Sequence, residues 1–324
     1  MNIPELQAGC GFPGGWEYNI FKALAWKWRQ EMTLTNVQKD NNTVNSVPKD
    51  FLLGDIRIRR LGYGAMRITG PGNWGEPDNQ EECLKVLRRL PELGVNFIDT
   101  ADSYGPNISE ELIREALYPY RDIVVATKAG QLRHGPNRWV LHGHPDYLRQ
   151  ALLLSMRRLQ LGQIPLWQLH RIDPNIPKEV QFAAIAQFQR EGLVKHIGLS
   201  EVKIEDIVLA SQFFKVATVQ NQYNMGNRQH EAELDYCTQH GIGFIPWYPL
   251  AKSTLTGHIP VLETIAAKYA ATPNQIALAW LLKRSPVILP IPGTSKLSHL
   301  EENLKADQIS LSDEDFATLS QTPQ

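Results

Sequence analysis

The sequence predicts an α/β protein folded as a (β/α)8 TIM barrel, and three observations carry that expectation. Short, almost wholly apolar segments alternate with helical stretches along most of the 324 residues, the pattern of βα units around a parallel sheet covered on both faces. Eight such segments follow one another from Gly62 onward, the number a barrel needs to close. Three of them run directly into Asp99, Lys128 and His170, and a barrel gathers its chemistry at the carboxyl ends of its strands.

Composition narrows the function classes. Hydrophobic residues make up 43% of the chain and the formal charge is -1, so no polyanionic partner such as nucleic acid is implied. Cys10, Cys83 and Cys237 are too few and too scattered for a disulfide framework, which suits a reducing compartment. No apolar run reaches the roughly 20 residues needed for membrane insertion, and the first residues lack the pattern of a secretory signal. The expected location is the cytoplasm.

Residues 1–50 read as an N-terminal extension, partly disordered, and residues 51–324 as the barrel domain. Within the extension Phe21, Leu24, Ala25, Trp28 and Met32 share one helical face, and the Asn-, Thr- and Lys-rich run that follows reads as a linker. Met32 is an alternative start. Phe51 to Ile58 predicts a hairpin turning at Gly54-Asp55, and Gly62 to Met66 the first barrel strand. Helices are then expected at 80–93, 109–117, 145–161, 178–191, 204–214, 230–240, 273–284 and 297–305. Each of the first seven leads into a strand, at 95–98, 123–127, 166–169, 196–199, 217–220, 243–246 and 287–290. A last helix is expected over 312–319.

One motif is a decoy. Gly70-Pro71-Gly72-Asn73-Trp74-Gly75 satisfies G-x-G-x-x-G, but Glu76-Pro77-Asp78 separates it from the helix, with Asp78 as the expected cap. Pro71 also removes an N–H that a phosphate-cradling loop would use. The segment reads instead as a flexible loop at the barrel mouth, with Trp74 lining a substrate pocket.

The strand exits carry the chemistry. Tyr104 lies five residues beyond Asp99, and a phenol that must move a proton near neutral pH needs a cation close by. Lys128 supplies one at the end of the next strand, and an ammonium buried there needs an anion, which Asp99 supplies. His170 ends the following strand.

This order of Asp, Tyr, Lys and His resembles the catalytic tetrad of the aldo-keto reductases. The resemblance continues through Gly198-Leu199-Ser200-Glu201, Val219-Gln220-Asn221-Gln222, Pro246-Trp247-Tyr248-Pro249-Leu250 and Pro292-Gly293-Thr294-Ser295-Lys296, over roughly residues 51 to 320. It implies that the hairpin closes the barrel bottom and that NADP(H) is the cofactor. Tyr104 is then the general acid, and Lys128 lowers its pKa while Asp99 holds Lys128. His170 orients the substrate carbonyl. It further implies Ser200 and Gln220 on the nicotinamide carboxamide, Trp247 stacked on the ring and Leu250 among the cofactor contacts. Thr294, Ser295, Lys296 and His299 match the segment that holds the 2′-phosphate, and Glu302 and Asn303 match adenine contacts. One position departs: Glu201 stands where many members carry Asn, and Glu lacks the amide donor.

The expected activity is NADPH-dependent reduction of a small-molecule aldehyde or ketone, with no metal. Trp74 and Trp139 are expected as an aromatic pocket wall, with 131–144 as a mobile loop above it. The likeness extends to a bacterial subgroup in which pyridoxal reduction occurs. The alternative is an NADP-binding redox-sensing subunit with little turnover, since the fold also serves that role. Oligomeric state is not written in the sequence.

Overall fold

The computed structural model describes residues 47–250 and 260–321; the expected helix at 21–32 and the alternative start at Met32 lie outside them. Asp50–Leu53 (β1) and Ile56–Arg59 (β2) pair antiparallel through a two-residue turn, Leu53 opposite Ile56. Gly54 turns the chain at φ +61°, a conformation an L side chain rarely adopts.

The central sheet is parallel and seven-stranded. Its strands are Tyr63–Gly64 (β3), Phe97–Asp99 (β4), Val124–Ala129 (β5), Ile164–Leu169 (β8), Val194–Ser200 (β9), Val216–Gln220 (β10) and Gly243–Phe244 (β11), paired in chain order. The expected eighth strand is too short and proline-interrupted for a full ladder, yet it closes the ring. Phe244 bridges Ile288 in parallel, Leu289 N–H donates to Phe244 O at 2.8 Å, and Gly62 N–H donates to Pro290 O at 2.9 Å. At this seam a Cβ on Gly64 would meet Ile291 O at 2.6 Å, and one on Gly293 would meet Gly64 O at 2.6 Å, so both positions need glycine.

Helices Gln80–Glu92 (α1), Ile108–Leu117 (α2), Pro145–Leu159 (α3), Lys178–Arg190 (α4), Ile204–Ala210 (α5) and Glu231–His240 (α6) each precede the next strand. Pro260–Lys268 (α7), Pro273–Arg284 (α8), Leu297–Leu304 (α9) and Asp313–Ser320 (α10) complete the set; α7 was not anticipated. The cap of α1 is Asn79, not Asp78: its side chain accepts from Glu82 N–H at 3.0 Å. The first barrel strand is shorter than expected, because a 3-10 turn begins at Ala65.

Side chains on a strand point alternately inward and outward. The inward file, Phe97, Val124, Ala126, Leu166, Ile245 and Leu289, forms one apolar cluster with Leu53 and Ile58 of the hairpin, which thus plugs the barrel bottom. The outward file, including Ile98, Val125, Trp167, Leu199 and Val219, packs under the helices. Continued upward, the inward parity reaches Asp99, Lys128, Gln168, Ser200 and Gln220, so the barrel interior turns from apolar to polar at its carboxyl end. No helix among the described residues is long and apolar enough to cross a membrane.

Candidate active site

Asp99 and Lys128 are buried on neighbouring strands and form an ion pair, Nζ to Oδ1 2.6 Å, with side chains 2% and 0% exposed. The ammonium also donates to Thr100 O at 2.7 Å and, at 3.5 Å, to Tyr104 Oη. The other Asp99 oxygen, Oδ2, accepts from Gln168 Nε2 at 3.0 Å and Gln220 Nε2 at 2.9 Å. The buried carboxylate thus has both of its oxygens hydrogen-bonded. Room for Gln168 comes from Gly198, where a Cβ would meet Gln168 Cγ at 2.9 Å and Thr218 Oγ1 at 2.1 Å.

Tyr104 is carried by the segment after β4, which is tied back to β5 by Thr100 N–H on Ala126 O and Asp102 N–H on Lys128 O. Lys128 does act to lower the Tyr104 pKa as expected, but the net shift is upward. Burial pushes the phenol up, and Lys128, most of whose hydrogen bonding goes to Asp99 and Thr100, only partly opposes that rise. Tyr104 therefore keeps its proton. Burial alone would push the Lys128 ammonium down, but Asp99 and then Tyr104 more than offset it.

His170 packs edge-on against Tyr104, ring centroids 5.8 Å apart. Burial, followed by the charges of Lys128, Arg171 and Arg133, holds its pKa well below the ordinary value, so the imidazole is neutral. Nδ1 lies 3.3 Å from Ser103 Oγ; with that hydroxyl as donor, the ring proton sits on Nε2.

Asp99, Tyr104 and His170 open onto one cavity of about 660 Å³ that Gln220, Trp139, Trp247 and Leu250 also help to line, while Lys128 lies buried behind Asp99 and Tyr104. Trp139 stands 6.5 Å from Tyr104 and 6.3 Å from His170, centroid to centroid. The mobile loop expected at 131–144 is instead a β-hairpin, Gln131–Arg133 (β6) with Trp139–Leu141 (β7). Nor is the Gly70–Gly75 loop a loose flap. Arg133 Nη1 donates to Asn73 O and Ser103 O, Nη2 to Gly72 O and Gly135 O, and the guanidinium lies 3.7 Å over Trp139 and 5.7 Å from Trp74. Trp74 is 37% exposed at the rim and is absent from the cavity lining, so of the two expected wall residues only Trp139 faces the Tyr104 phenol.

Ser200 and Gln220, paired at the ends of β9 and β10, suit a primary carboxamide. Ser200 Oγ accepts from Arg171 Nη1 at 2.8 Å, which leaves its hydrogen to donate. Gln220 spends its amide N–H on Asp99, which leaves Oε1 to accept. A donor and an acceptor side by side complement the C=O and NH2 of a nicotinamide. Glu201 is turned elsewhere: its Oε1 accepts from Trp247 Nε1 at 2.5 Å and Gln222 N–H at 2.8 Å.

At the eighth strand exit Thr294 Oγ1 accepts from Lys296 N–H at 3.0 Å, and Lys296 is the N-cap of α9 without a side-chain cap, so free N–H groups and an exposed ammonium point outward. His299 is also exposed. Ser295 and Lys296 line a second cavity of about 360 Å³ with Arg67. Hydroxyls, a helix start and cations are the donor set a phosphate takes. Glu302 is engaged within the fold, accepting from Thr272 Oγ1 at 2.9 Å, and Asn303 is buried; neither lines either cavity.

Sequence reasoning missed Ser103, Arg133, Gln168 and Arg171. Gln168 alone carried a signal, a polar residue two places before His170 in an apolar strand. A further buried acid was also missed. Asp102 accepts from Tyr147 Oη at 3.4 Å through Oδ2, Oδ1 has no partner, and burial followed by the Glu110 charge pushes its pKa up to about 8.

Comparison with known proteins agrees with this geometry. Residues 60–322 match the model of the aldo/keto reductase family. An uncharacterized oxidoreductase of Schizosaccharomyces pombe is 55% identical over 269 residues, 83% of this chain and 88% of that one. Pyridoxine 4-dehydrogenase of Escherichia coli is 41% identical over 276 residues, 83% of this chain and 96% of its own. An aldo-keto reductase from Klebsiella pneumoniae, solved in complex with NADPH, superimposes with a TM-score of 0.74 at 25% identity, covering 86% of this chain and 96% of that one.

Proposed function

The chain belongs to the aldo/keto reductase family of oxidoreductases, and from that premise we propose that it reduces an aldehyde or ketone to the alcohol with NADPH. The observation that carries the reading is the convergence of Tyr104, Asp99 and His170 on one cavity that Gln220 also lines, with Lys128 buried behind Asp99 and Tyr104 and Ser200 paired with Gln220 on the neighbouring strand.

NADPH, when bound, supplies the hydride for the carbonyl carbon. Ser200 and Gln220 would hold the carboxamide and Trp247 the ring, with Leu250 nearby. Thr294, Ser295, Lys296 and His299 would hold the 2′-phosphate, which favours NADP over NAD. Glu302 and Asn303 would meet the adenine, although Glu302 is engaged by Thr272 and Asn303 is buried.

The protein's own part is proton transfer and orientation. Tyr104 enters the reaction protonated and gives its proton to the carbonyl oxygen. The phenolate left behind is paid back by the Lys128 charge 3.5 Å away, and Asp99 keeps that charge in place. Neutral His170 donates through Nε2 to the oxygen as charge builds on it, without competing for the proton. Trp139 walls the cavity against water.

The Escherichia coli relative supports pyridoxal as the first aldehyde to try. The test follows loss of reduced cofactor with pyridoxal and a panel of aromatic and aliphatic aldehydes. Tyr104→Phe should bind NADPH as the parent does and lose turnover by about 10²–10⁴-fold. Normal turnover in that variant would refute the assignment, and a single stoichiometric oxidation by the parent would favour the sensing role.

A further inference from the structure

We propose that Glu201 is a positioning residue for the nicotinamide site: its carboxylate fixes the Trp247 indole and makes that wall prefer the oxidised, cationic nicotinamide over the neutral reduced one. The inference rests on the NADP(H) reading of the cavity given above.

Glu201 leaves β9 at φ +55°, a left-handed conformation that costs a non-glycine residue and persists only where the surroundings enforce it. The enforcement is visible. Its N–H donates to Gln220 O at 3.0 Å, and its side chain reaches across to Gln222 N–H and to the Trp247 indole N–H. One residue therefore ties the exits of β9 and β10 to the chain beyond β11. Trp247 lines the cavity and Glu201 does not, so the carboxylate acts from the N–H edge of the ring, outside the cavity.

Two physical effects follow. An indole N–H bonded to a carboxylate loses the freedom to swing, which pre-forms a flat wall for a planar ligand. The anion also pushes electron density into the ring and adds its own Coulomb attraction, and both strengthen the hold of the indole face on a cation. A nicotinamide ring is cationic when oxidised and neutral when reduced, so the charge at position 201 discriminates between the two. Arg171, a cation lining the same cavity, opposes this effect, but substitution at Glu201 leaves it in place.

The test measures Kd for NADP+ and for NADPH separately, by calorimetry on the cofactor-free full-length protein, together with quenching of tryptophan fluorescence by bound cofactor. Glu201→Gln keeps an acceptor for both N–H groups and removes only the charge; Kd(NADP+)/Kd(NADPH) is expected to rise about tenfold with quenching retained. Glu201→Leu removes the tether as well, and both cofactors should weaken with loss of quenching. A ratio in Glu201→Gln within twofold of the parent overturns the charge effect, and parent-like binding of both cofactors by Glu201→Leu overturns the tether. Should Glu201→Leu not fold, Glu201→Gln decides the proposal alone. Trp247→Leu separates the premise from the inference: parent-like binding of both cofactors by that variant shows that the nicotinamide does not lie on this ring.

Discussion

Removing either partner of the Lys128–Asp99 pair should not cost the same, and the difference can be worked from their hydrogen bonds. In Asp99→Asn the buried ammonium keeps an amide oxygen in place of Oδ1, Thr100 O at 2.7 Å and the distant Tyr104 hydroxyl, but loses its counter-charge. With that oxygen on Lys128, the new amide NH2 faces the amide donors of Gln168 and Gln220, which must reorganise to accept it. Stranding a buried charge in this way costs about 3–5 kcal/mol, a large part of the roughly 5–15 kcal/mol that holds a typical domain. In Lys128→Met the Asp99 carboxylate keeps both glutamine donors, and the loss should be about 1–3 kcal/mol. Urea unfolding at pH 7, followed by circular dichroism and extrapolated to water, measures both. The sign of the pH dependence is also fixed. Lys128 titrates above its ordinary 10.5 in the fold, so its contribution is complete below that pH and is lost as the pH rises through the folded value. The gap between parent and Asp99→Asn should therefore hold steady from pH 6 to about pH 9. A milder effect of Asp99→Asn than of Lys128→Met would refute the reasoning.

Two further outcomes follow from buried groups beside the tetrad. Asp102, protonated in the fold up to about pH 8, ionises near 3.8 when unfolded, so the unfolded chain binds fewer protons and stability falls between those values. Asp102→Asn keeps an acceptor for Tyr147 and should flatten that fall, gaining about 1–3 kcal/mol at pH 8 in urea unfolding; an unchanged slope between pH 5 and pH 8 would count against it. Arg133→Leu unpins Trp139 and the Gly72–Asn73 backbone, an ordering worth ~1–2 kcal/mol. KM for an aromatic aldehyde should rise about tenfold with kcat nearly kept, and a fall confined to kcat would show that the stack serves another purpose.

The fold was legible because barrel strands are buried on both faces and so stand out as apolar runs. What blurred was each place where backbone closure, rather than hydrophobicity, sets the structure. The eighth strand holds two proline-flanked residues of true pairing, and β3 stops at Gly64 because the chain turns to meet Gly293. The hairpin at 131–141 escaped notice because its pairing is short and its organising residue, Arg133, bonds to carbonyls of a loop some sixty residues earlier. No local periodicity records such a contact.

The site was legible to the depth of its charges and no further. Asp99, Lys128 and His170 end apolar strands, and a charge in that place has to be answered by another, so their convergence can be reasoned from one chain. The balance among them cannot. A sequence says that a lysine stands near a tyrosine, and the simple inference is a lowered pKa; only the structure shows that Asp99 and Thr100 hold that lysine while burial acts on the phenol. The consequence is directional. A phenol held protonated is ready to donate, which suits reduction of a carbonyl. Alcohol oxidation needs that proton to leave first, against the same burial. Three cations around His170 act in the same sense: they keep the imidazole neutral, and in the proposed reaction they would favour the substrate oxygen as it becomes negative.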